Sequence, residues 1–394
     1  MVTIKDIAKE LGVSISTVSK GLNGGSDISD SLRAIILDKA VEMGYTSRKA
    51  KKMENRTFAI FLEKMAYEKP EDFAYNIVLG LRQAAFRDHW DVKIFHITPE
   101  FQTQHPLQSL MLEKGYSGAC LLGLTLDDPW MKEMDAVHVP VTMLDNYIPV
   151  NPSVSCVETD SGEALELVIS HLIGLGHEKI AFLDGEPHSY ISDRRMKAYL
   201  NSMRRHHLPV DPNMAVYADY HEEAAVHNVP GMLDLGATAI VCASDLLAKG
   251  AIECCKSLGY RVPEDVSVVG YDDIPAAAAI DPPLTTIRQD TAAIGRCFFY
   301  ILVSAVDSTT ISHCYLRPGR VVRNSTGPAG PAWAPGGSRT RTVCFTLIPP
   351  SICSRTEAKW ASLPRRQRIC AGCHGQKALF MRVRRDSPHP TRSF

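Results

Sequence analysis

The sequence lacks the features of an exported or membrane-inserted protein. A signal peptide has a basic start followed by an apolar segment, and the first residues of this 394-residue sequence do not show that pattern. No stretch approaches the ~18 uninterrupted apolar residues that a membrane helix requires. Seven of the 11 cysteines lie before residue 327 within apolar runs, a placement typical of reduced core residues rather than disulfides. We therefore expect a cytoplasmic protein with no membrane partner.

Patterns for catalysis and for metal binding are also missing. The sequence contains no phosphate-cradling GxxxxGK[ST] loop and no recognisable set of nucleophile, base and acid. His171 and His177 stand six residues apart, a spacing that favours structural roles over a metal site. Asp272 and Asp273 form a carboxylate pair without such partners. We therefore expect neither an enzyme nor a bound cofactor or metal.

Charge is divided unevenly along the chain, although the formal net charge is only −1. Residues 1–56 hold 10 Lys and Arg against 7 Asp and Glu, a net charge of +3. Residues 57–326 hold 21 against 35, a net charge of −14, and residues 327–394 hold 12 against 2, a net charge of +10. The basic ends and the acidic middle of the chain indicate a nucleic-acid-binding part joined to a domain whose negative charge repels phosphate.

The first 56 residues have the pattern of three short helices. Thr3 and Asp6 are spaced as the N-cap of a first helix, and Gly12 ends it. Ser14 caps a second helix that runs from residue 15 to about 22, and Ser29 caps a third. The inner face of the third helix is predicted to consist of Leu32, Ile35, Ile36, Ala40 and Met43.

Two short helices joined by a tight turn predict a helix-turn-helix, whose second helix enters the major groove of DNA. The residues that point outward from that helix are Ile15, Ser16, Ser19 and Lys20. Ile15 suits a thymine methyl group, Ser16 suits several base edges, and Lys20 suits guanine or phosphate. The alternative is a plain three-helix bundle with a solvated basic face, which gives no reason for an exposed Ile15.

This head resembles the lactose-repressor family of bacterial transcription regulators. The matching segments are Thr3-Ile-Lys-Asp-Ile-Ala8, Gly12-Val-Ser-Ile-Ser-Thr-Val-Ser-Lys-Gly-Leu-Asn23 and Met43-Gly-Tyr45. The resemblance implies homodimers on near-palindromic double-stranded operators, and a hinge helix that wedges an apolar side chain, here Met53 of Ala50-Lys-Lys-Met53, into the minor groove. The alternative for residues 48–56 is an ordinary charged linker. The expected DNA contacts are Thr3, Ser14, Ile15, Ser16, Thr17, Ser19, Lys20, Asn23, Ser29 and Met53.

From residue 58 onward, short apolar runs alternate with amphipathic segments, which predicts βαβ units and parallel sheets. Several predicted strands end in carboxylates, and ligands of such sheets bind at the carboxyl ends of strands. The predicted strands are 58–62, 92–97, 118–124, 139–145, 180–185, 239–244 and 266–271. The predicted helices are 76–88, 162–173, 194–206, 222–235, 246–258 and 291–306.

The same family resemblance continues to residue 326. It is carried by Leu144-Asp-Asn146, His171-Leu-Ile-Gly-Leu-Gly-His177, Arg195-Met-Lys-Ala-Tyr199, Ala243-Ser-Asp-Leu-Leu-Ala-Lys-Gly250 and Asp265-Val-Ser-Val-Val-Gly-Tyr-Asp-Asp273. It implies a two-lobed sensor like a periplasmic sugar-binding protein, with lobes near 58–159 and 160–285 joined by linkers near 160 and 285.

The effector contacts that the resemblance implies are Asp145, Arg195 and Asp272. Tyr220 is placed to stack on a sugar face, and Ser244 stands where the family commonly has Asn. Arg195 offers a planar fork of donors, while Asp272 accepts hydroxyl protons. The alternatives are a surface ion pair of Arg195 with Asp193 and a turn-capping role for Asp272.

The tail, residues 327–394, has no sustained apolar periodicity and a composition typical of disorder. We interpret it as a frameshifted or read-through extension. Its Cys370-Ala-Gly-Cys373-His374 fits the pattern of c-type haem attachment, which requires export, so we regard the match as chance.

The sequence thus predicts an all-α helix-turn-helix domain over 1–47, a hinge over 48–57, an α/β two-lobed effector-binding and dimerisation domain over 58–326, and a disordered tail. The predicted function is a ligand-responsive repressor of carbohydrate-use genes, released from DNA by a sugar-like effector. A small-molecule-binding or enzymatic α/β protein with an incidental helical head is the first alternative, and a haem-bearing electron carrier is the second.

Overall fold

The computed structural model describes residues 2–22, 28–43, 45, 56–307 and 311–330. Asn23, most of the predicted hinge with Met53, and the tail from residue 331 with its Cys370–His374 motif lie outside these residues. Within the described part, no helix is both long enough and apolar enough to cross a membrane.

Three helices form the head: α1 (Ile4–Leu11), α2 (Ile15–Leu22) and α3 (Asp30–Glu42). The Thr3 N–H donates to Asp6 Oδ2 over 2.8 Å, which satisfies one free donor at the start of α1. Gly12 ends α1 with φ of 65°, a left-handed conformation that glycine adopts without strain. Ser14 caps α2 by accepting from Thr17 N over 3.0 Å, as predicted.

The core of the head contains Ile7, Val18, Ile36 and Ala40, each fully buried. The prediction that Ile35 faces inward is wrong: its side chain is 52% exposed. Leu37, at 7% exposure, is buried beside Ile36 instead. Ile35 lies three residues after Leu32 and Leu37 lies three residues before Ala40, so both fit the 3.6-residue period and the pattern alone does not choose between them.

The N-terminal lobe, called the N-lobe, contains a six-stranded sheet in the order β2-β1-β3-β4-β5-β11. Every strand pair in it is parallel. The strands are β1 (Thr57–Leu62), β2 (Asp91–His96), β3 (Gly118–Leu122), β4 (Val141–Leu144), β5 (Val154–Thr159) and β11 (His313–Leu316). The helices are α4 (Phe73–Arg87), α5 (Pro99–Gln104), α6 (Leu107–Lys114) and α11 (Thr291–Asp307).

The C-terminal lobe, called the C-lobe, repeats this design with the order β7-β6-β8-β9-β10-β12. Only the last pair, β10 with β12, is antiparallel. The strands are β6 (Ile180–Asp184), β7 (Ala215–Tyr217), β8 (Ala239–Cys242), β9 (Ser267–Asp272), β10 (Thr285–Arg288) and β12 (Gly319–Val321). The helices are α7 (Ser161–Gly174), α8 (Tyr190–Arg205), α9 (Glu222–Asp234) and α10 (Asp245–Ser257).

The chain crosses between the lobes three times. It passes from β5 into α7 at Asp160, from β10 into α11 near Asp290, and from β11 into β12 near Pro318. Each crossing joins the two sheets at the carboxyl end of a strand, so the carboxyl ends of both sheets face the space between the lobes. The predicted two-lobed α/β architecture is confirmed, and a ligand is expected in that space.

The C-lobe also includes residues just beyond Thr326. The Gly327 carbonyl accepts from His177 Nε2 over 3.0 Å, and the Ala329 N–H donates to the Leu175 carbonyl over 2.8 Å. Ser325 is fully buried, and its hydroxyl donates to the Val268 carbonyl over 2.6 Å. His177 therefore has the structural role that its spacing predicted.

These interactions predict different results for two truncations. A chain ended after Gly330 should keep its melting temperature, because it retains every hydrogen bond just described. A chain ended after Asn324 should lose several degrees, because removal of Ser325 leaves partners such as the Val268 carbonyl buried without hydrogen bonds, at about 1–3 kcal/mol each. Calorimetric melting of the two truncated chains beside the full chain checks this. A clear drop for the longer one would show that the tail packs on the C-lobe.

Candidate effector cleft and DNA-recognition face

Two carboxylates stand at strand ends on opposite sides of the space between the lobes, which we call the cleft. Asp145 follows β4 of the N-lobe with φ of 54°, and Asp272 ends β9 of the C-lobe with φ of 113°. Such positive φ values are rare for residues other than glycine and cost about 1–3 kcal/mol each. Strained backbone at strand ends is concentrated in functional sites, so the two aspartates are strong candidates for ligand contacts.

Arg195 lies near enough to both carboxylates for its charge to act on them. It comes from the N-terminal half of α8 and is 4% exposed. Its Nη1 donates to the Ala243 carbonyl over 2.9 Å, and its Cζ lies 4.1 Å from the centre of the Tyr271 ring. The expected alternative, an ion pair with Asp193, is absent, since Asp193 accepts from the Tyr217 hydroxyl over 2.8 Å. Arg195 is thus a fixed, buried guanidinium whose Nε finds no partner among the described residues.

Burial governs the electrostatics of the cleft. It raises the pKa of Asp145 to about 7, with Glu158 and Asp272 adding to the rise and Arg195 opposing it. Burial likewise raises the pKa of Asp272 to about 7, against the effects of Arg195 and a hydrogen bond from Gln289. The pKa of Asp184, at the end of β6, rises to about 7 for the same reason. Near neutral pH the cleft therefore holds carboxyl groups that are part ionised near the permanent cation Arg195.

Asp184 should make the stability of the protein depend on pH. Its folded pKa of about 7 exceeds the ordinary 3.8, so the folded state keeps a proton that the unfolded state releases between pH ~4 and ~7. Its contribution to stability therefore falls as the pH rises through that window, by up to about 1.4 kcal/mol per pH unit. Asp184→Asn should remove this dependence and stabilise the protein more at pH 8 than at pH 5.

Urea unfolding of Asp184→Asn and of the natural chain at pH 5 and pH 8 measures this difference. The control is Asp135→Asn, the same substitution at an exposed position. If the stability difference between Asp184→Asn and the natural chain were the same at pH 5 and pH 8, Asp184 would be excluded as the source.

Tyr220 and Ser244, the other predicted effector contacts, have protein partners already. The Tyr220 hydroxyl lies 3.1 Å from Ser192 Oγ, and its ring rests against Gly185, where any Cβ would clash with it. Ser244 Oγ caps α10 by accepting from Leu247 N over 3.0 Å and donates to the Tyr220 carbonyl over 3.3 Å. These bonds give Ser244 a local structural role, whereas the Tyr220 side chain forms part of the C-lobe wall.

The structure adds residues that the sequence pattern did not single out. Tyr271 stacks on Arg195, and its buried hydroxyl has no partner among the described residues. Asn146 Oδ1 is likewise buried without a partner in the described part of the chain, while its amide donates to the Leu124 carbonyl over 2.8 Å. Gln289 donates to Asp272 Oδ1 over 2.8 Å and so orients that carboxylate. Only Asp184 carried a sequence signal, as a carboxylate at the end of a predicted strand.

The lobes touch each other across the cleft. Lys64 of the N-lobe forms an ion pair of 3.3 Å with Glu186 of the C-lobe. The Leu126 N–H donates to the His188 carbonyl over 3.0 Å, again between lobes. Both interactions join loops that follow strands β1, β3 and β6. The lobes are therefore closed enough for direct hydrogen bonds between them.

The second helix of the head presents a polar face with one apolar residue. Ile15 is 49% exposed, and Ser16 and Lys20 are exposed as well, whereas Val18 between them is fully buried. Ser19 and Thr17 are half-buried. Thr3, Ser14 and Ser29 stand at the starts of the three helices, where Ser14 and Ser29 accept from backbone N–H groups. Ile15, Ser16 and Lys20 are thus exposed as the sequence predicted for α2, whereas Ser19, which was predicted to point outward as well, is half-buried.

Comparison with known families covers both parts of the chain. The family model for bacterial regulatory proteins of the lacI family matches residues 3–47. The model for a periplasmic binding protein-like domain matches residues 169–326. The head and much of the two-lobed body thus each match the kind of domain that the sequence pattern indicated.

Individual proteins match over most of the chain. The HTH-type transcriptional repressor CytR of Escherichia coli (strain K12) is 30% identical over 300 residues, 75% of this chain and 86% of its own length. The transcriptional regulator CelR in complex with cellobiose is 27% identical with a TM-score of 0.62, covering 82% of this chain and 100% of its own.

The lac repressor dimer bound to operator and the anti-inducer ONPF is 25% identical with a TM-score of 0.59, covering 83% of this chain and 99% of its own. These matches decide against an enzyme with an incidental helical head, because both the head and the body align together with transcription regulators. The chain belongs to the lacI family of bacterial regulatory proteins and is a ligand-responsive, DNA-binding transcription regulator.

Proposed function

We propose that this protein is a cytoplasmic repressor of carbohydrate-use genes that leaves its operator when a neutral sugar binds in the cleft. The observation that carries the proposal is the fixed Arg195 among Asp145, Asp184 and Asp272 in a space enclosed by two lobes. The direct effector contacts are Asp145, Arg195 and Asp272. Tyr220 and Tyr271 supply the aromatic wall, and Ser244 supports Tyr220 from behind.

The charges of the cleft favour a neutral effector. The carboxyl groups of Asp145 and Asp272 accept the protons of sugar hydroxyls, and the guanidinium of Arg195 donates to hydroxyl or ring oxygens. Burial lowers the pKa of Arg195, but the influences of Tyr271, Tyr220, Asp145 and Asp272 outweigh it and raise the pKa further. A phosphate or carboxylate would meet an excess of like charge. The relatives support a sugar, since one is named a ribose operon repressor and another is a cellobiose complex.

Operator binding requires two heads. The lac repressor relative binds its operator as a dimer, and the exposed face of α2 is short enough to read only one half-site. We propose a homodimer on a near-palindromic double-stranded operator, with Ile15, Ser16 and Lys20 on base edges. Thr3, Ser14, Thr17, Ser19, Asn23 and Ser29 complete the proposed set, mainly at phosphates.

Effector binding and DNA binding are coupled through the lobes. A ligand held by Asp145 of one lobe and Asp272 of the other changes the orientation of the lobes relative to each other. Because the hinge joins the N-lobe to the head, this change is transmitted to the head. The coupling is reciprocal, so operator DNA must weaken sugar binding by the same factor as sugar weakens operator binding.

A thermal-shift screen followed by gel retardation tests the proposal. Neutral mono- and disaccharides are compared with their phosphates, and a ligand at 100 times its dissociation constant adds about 2.7 kcal/mol of stability. A stabilising neutral sugar should also release a retarded operator duplex. Stabilisation by a sugar phosphate alone would overturn the neutral-effector assignment, and a sugar that stabilises without releasing DNA would overturn the repressor mechanism.

Met53, which lies outside the described residues, is the proposed minor-groove wedge. Met53→Gly should weaken binding to the specific operator while binding to random duplex, which rests on phosphate charge, stays almost intact. Fluorescence anisotropy with both duplexes across a range of salt concentrations measures this. The control is Glu54→Gly, which loosens the neighbouring backbone without removing an apolar side chain. Equal losses on both duplexes would exclude a wedge.

A further inference from the structure

A cysteine, a glutamate and a histidine meet on one face of the N-lobe sheet. Cys156 and Glu158 are two residues apart on β5, so their side chains project from the same face. The adjacent parallel strand β11 places His313 directly beside Cys156 in the register. The sulfur, carboxylate and imidazole atoms that could act as ligands all lie within 4.8 Å of one another.

The cluster is built into the protein interior rather than scattered on its surface. Glu158 is 0% exposed and Cys156 is 2% exposed, while the His313 side chain is 26% exposed and opens the cluster to solvent. Glu158 Oε1 accepts from His313 Nε2 over 2.9 Å and from Arg194 over 3.5 Å. Glu158 Oε2 has no partner among the described residues, although it is fully buried. A buried carboxylate oxygen without a donor is costly, and a cation would satisfy it.

We propose that Cys156, Glu158 and His313 bind a zinc ion, with water as the fourth ligand. Zinc accepts this mixture of sulfur, nitrogen and oxygen, at about 2.3 Å from sulfur and 2.0–2.2 Å from nitrogen and oxygen. Three protein ligands separated by short distances can converge on one ion with small side-chain rotations. Magnesium and calcium prefer oxygen ligands alone and do not suit a thiolate with an imidazole.

The surroundings of the cluster would hold the histidine ligand in place. The His313 ring stacks between Tyr147 and Tyr315, at centroid distances of 4.7 and 4.4 Å. Arg194, which comes from the C-lobe, also donates to the Tyr315 hydroxyl over 3.4 Å. It can keep that hydrogen bond when the ion binds the Glu158 carboxylate. The ion would join β5 and β11, the strands that lead into the first and third crossings between the lobes. Zinc would therefore stiffen the N-lobe at those crossings.

The site is tested with cobalt as a spectroscopic probe and zinc as its competitor. The full chain is used with the tail thiols Cys344, Cys353, Cys370 and Cys373 replaced by serine, so that no tail thiol contributes to the absorption. Cobalt should give a thiolate charge-transfer absorption that zinc displaces at one equivalent. Cys156→Ser should abolish that absorption, and His313→Gln should weaken zinc binding by more than about 10–100-fold, the loss typical of an outer-shell change.

Cys314→Ser is the matched control. Cys314 is the next residue of β11, but its side chain points to the other face and packs against the core of the N-lobe. It should leave both the absorption and the zinc affinity unchanged. Circular dichroism shows whether each variant is folded. If Cys156→Ser unfolds, the zinc affinity of His313→Gln, a substitution at a partly exposed position, still tests the site. Absence of a cobalt–thiolate band in the parent, or its persistence in folded Cys156→Ser, would overturn the site.

Discussion

Replacing Arg195 should produce a repressor that binds its operator and no longer responds to its effector. Arg195 is the one permanent cation proposed to touch the sugar, and it is already oriented by the Ala243 carbonyl and the Tyr271 ring. A sugar oxygen left without a donor in a closed cleft costs about 1–3 kcal/mol. Effector affinity should therefore fall by about 5–150-fold for each hydrogen bond to the sugar that the substitution removes.

Two substitutions separate this role from a general loss of stability. Arg195→Ala leaves Asp145, Asp184 and Asp272 without their compensating charge, so it should also lower the melting temperature. Arg195→Lys keeps the charge but loses the planar fork, so it should fold normally and still fail to respond. Asp272→Asn tests the opposite side with a side chain of the same shape.

Calorimetry with the effector and anisotropy with the operator give the two affinities for each variant. The control is Arg205→Ala, on the same helix, where the side chain is 69% exposed and pairs with Glu166 outside the cleft. Arg205→Ala should leave both affinities unchanged. Normal effector binding by folded Arg195→Lys would remove Arg195 from the site, and loss of operator binding in Arg195→Lys would mean that the cleft mutation disturbs the head.

The sequence predicted seven of the twelve strands that the structure describes, because buried parallel strands are nearly continuous apolar runs. Each of the seven predicted strands overlaps an observed strand, and each of the six predicted helices of the body overlaps an observed helix. Five observed strands were missed: the six-residue β5 and four short ones, of which β7 and β12 have three residues each and β10 and β11 have four. Strands of three or four residues contain too few positions to show an apolar or alternating pattern in the sequence.

Long-range pairing is what the sequence could not supply. His313 and Cys156 are 157 positions apart, and only the register of β11 on β5 brings them together. The stacking of Tyr271 on Arg195 likewise depends on the order of strands and helices in the C-lobe. By contrast, Asp145, Asp184 and Asp272 were visible beforehand, since a carboxylate directly after an apolar run marks the end of a parallel strand.

Replacing Ile15 or Ser16 should change which operator sequence the protein selects. Ile15 opens α2 with nearly half of its surface exposed, although an apolar side chain in water gains nothing there. In the major groove it would cover a thymine methyl group, and Ser16 beside it would bond a base edge. Ile15→Ala and Ser16→Ala should each cost ~1–3 kcal/mol of discrimination at one operator position, while affinity for random duplex stays the same.

The head contains a matched control for this test. Ile35 on α3 is a second isoleucine with a similar exposure, 52% against 49% for Ile15. Ile35→Ala therefore removes the same exposed surface outside the recognition helix and should leave the selected sequence unchanged. Selection from a randomised duplex library, followed by anisotropy on single-position operator variants, reads out the preference. If Ile15→Ala and Ser16→Ala select the unaltered site, or if Ile35→Ala shifts it equally, α2 does not read the operator through these residues.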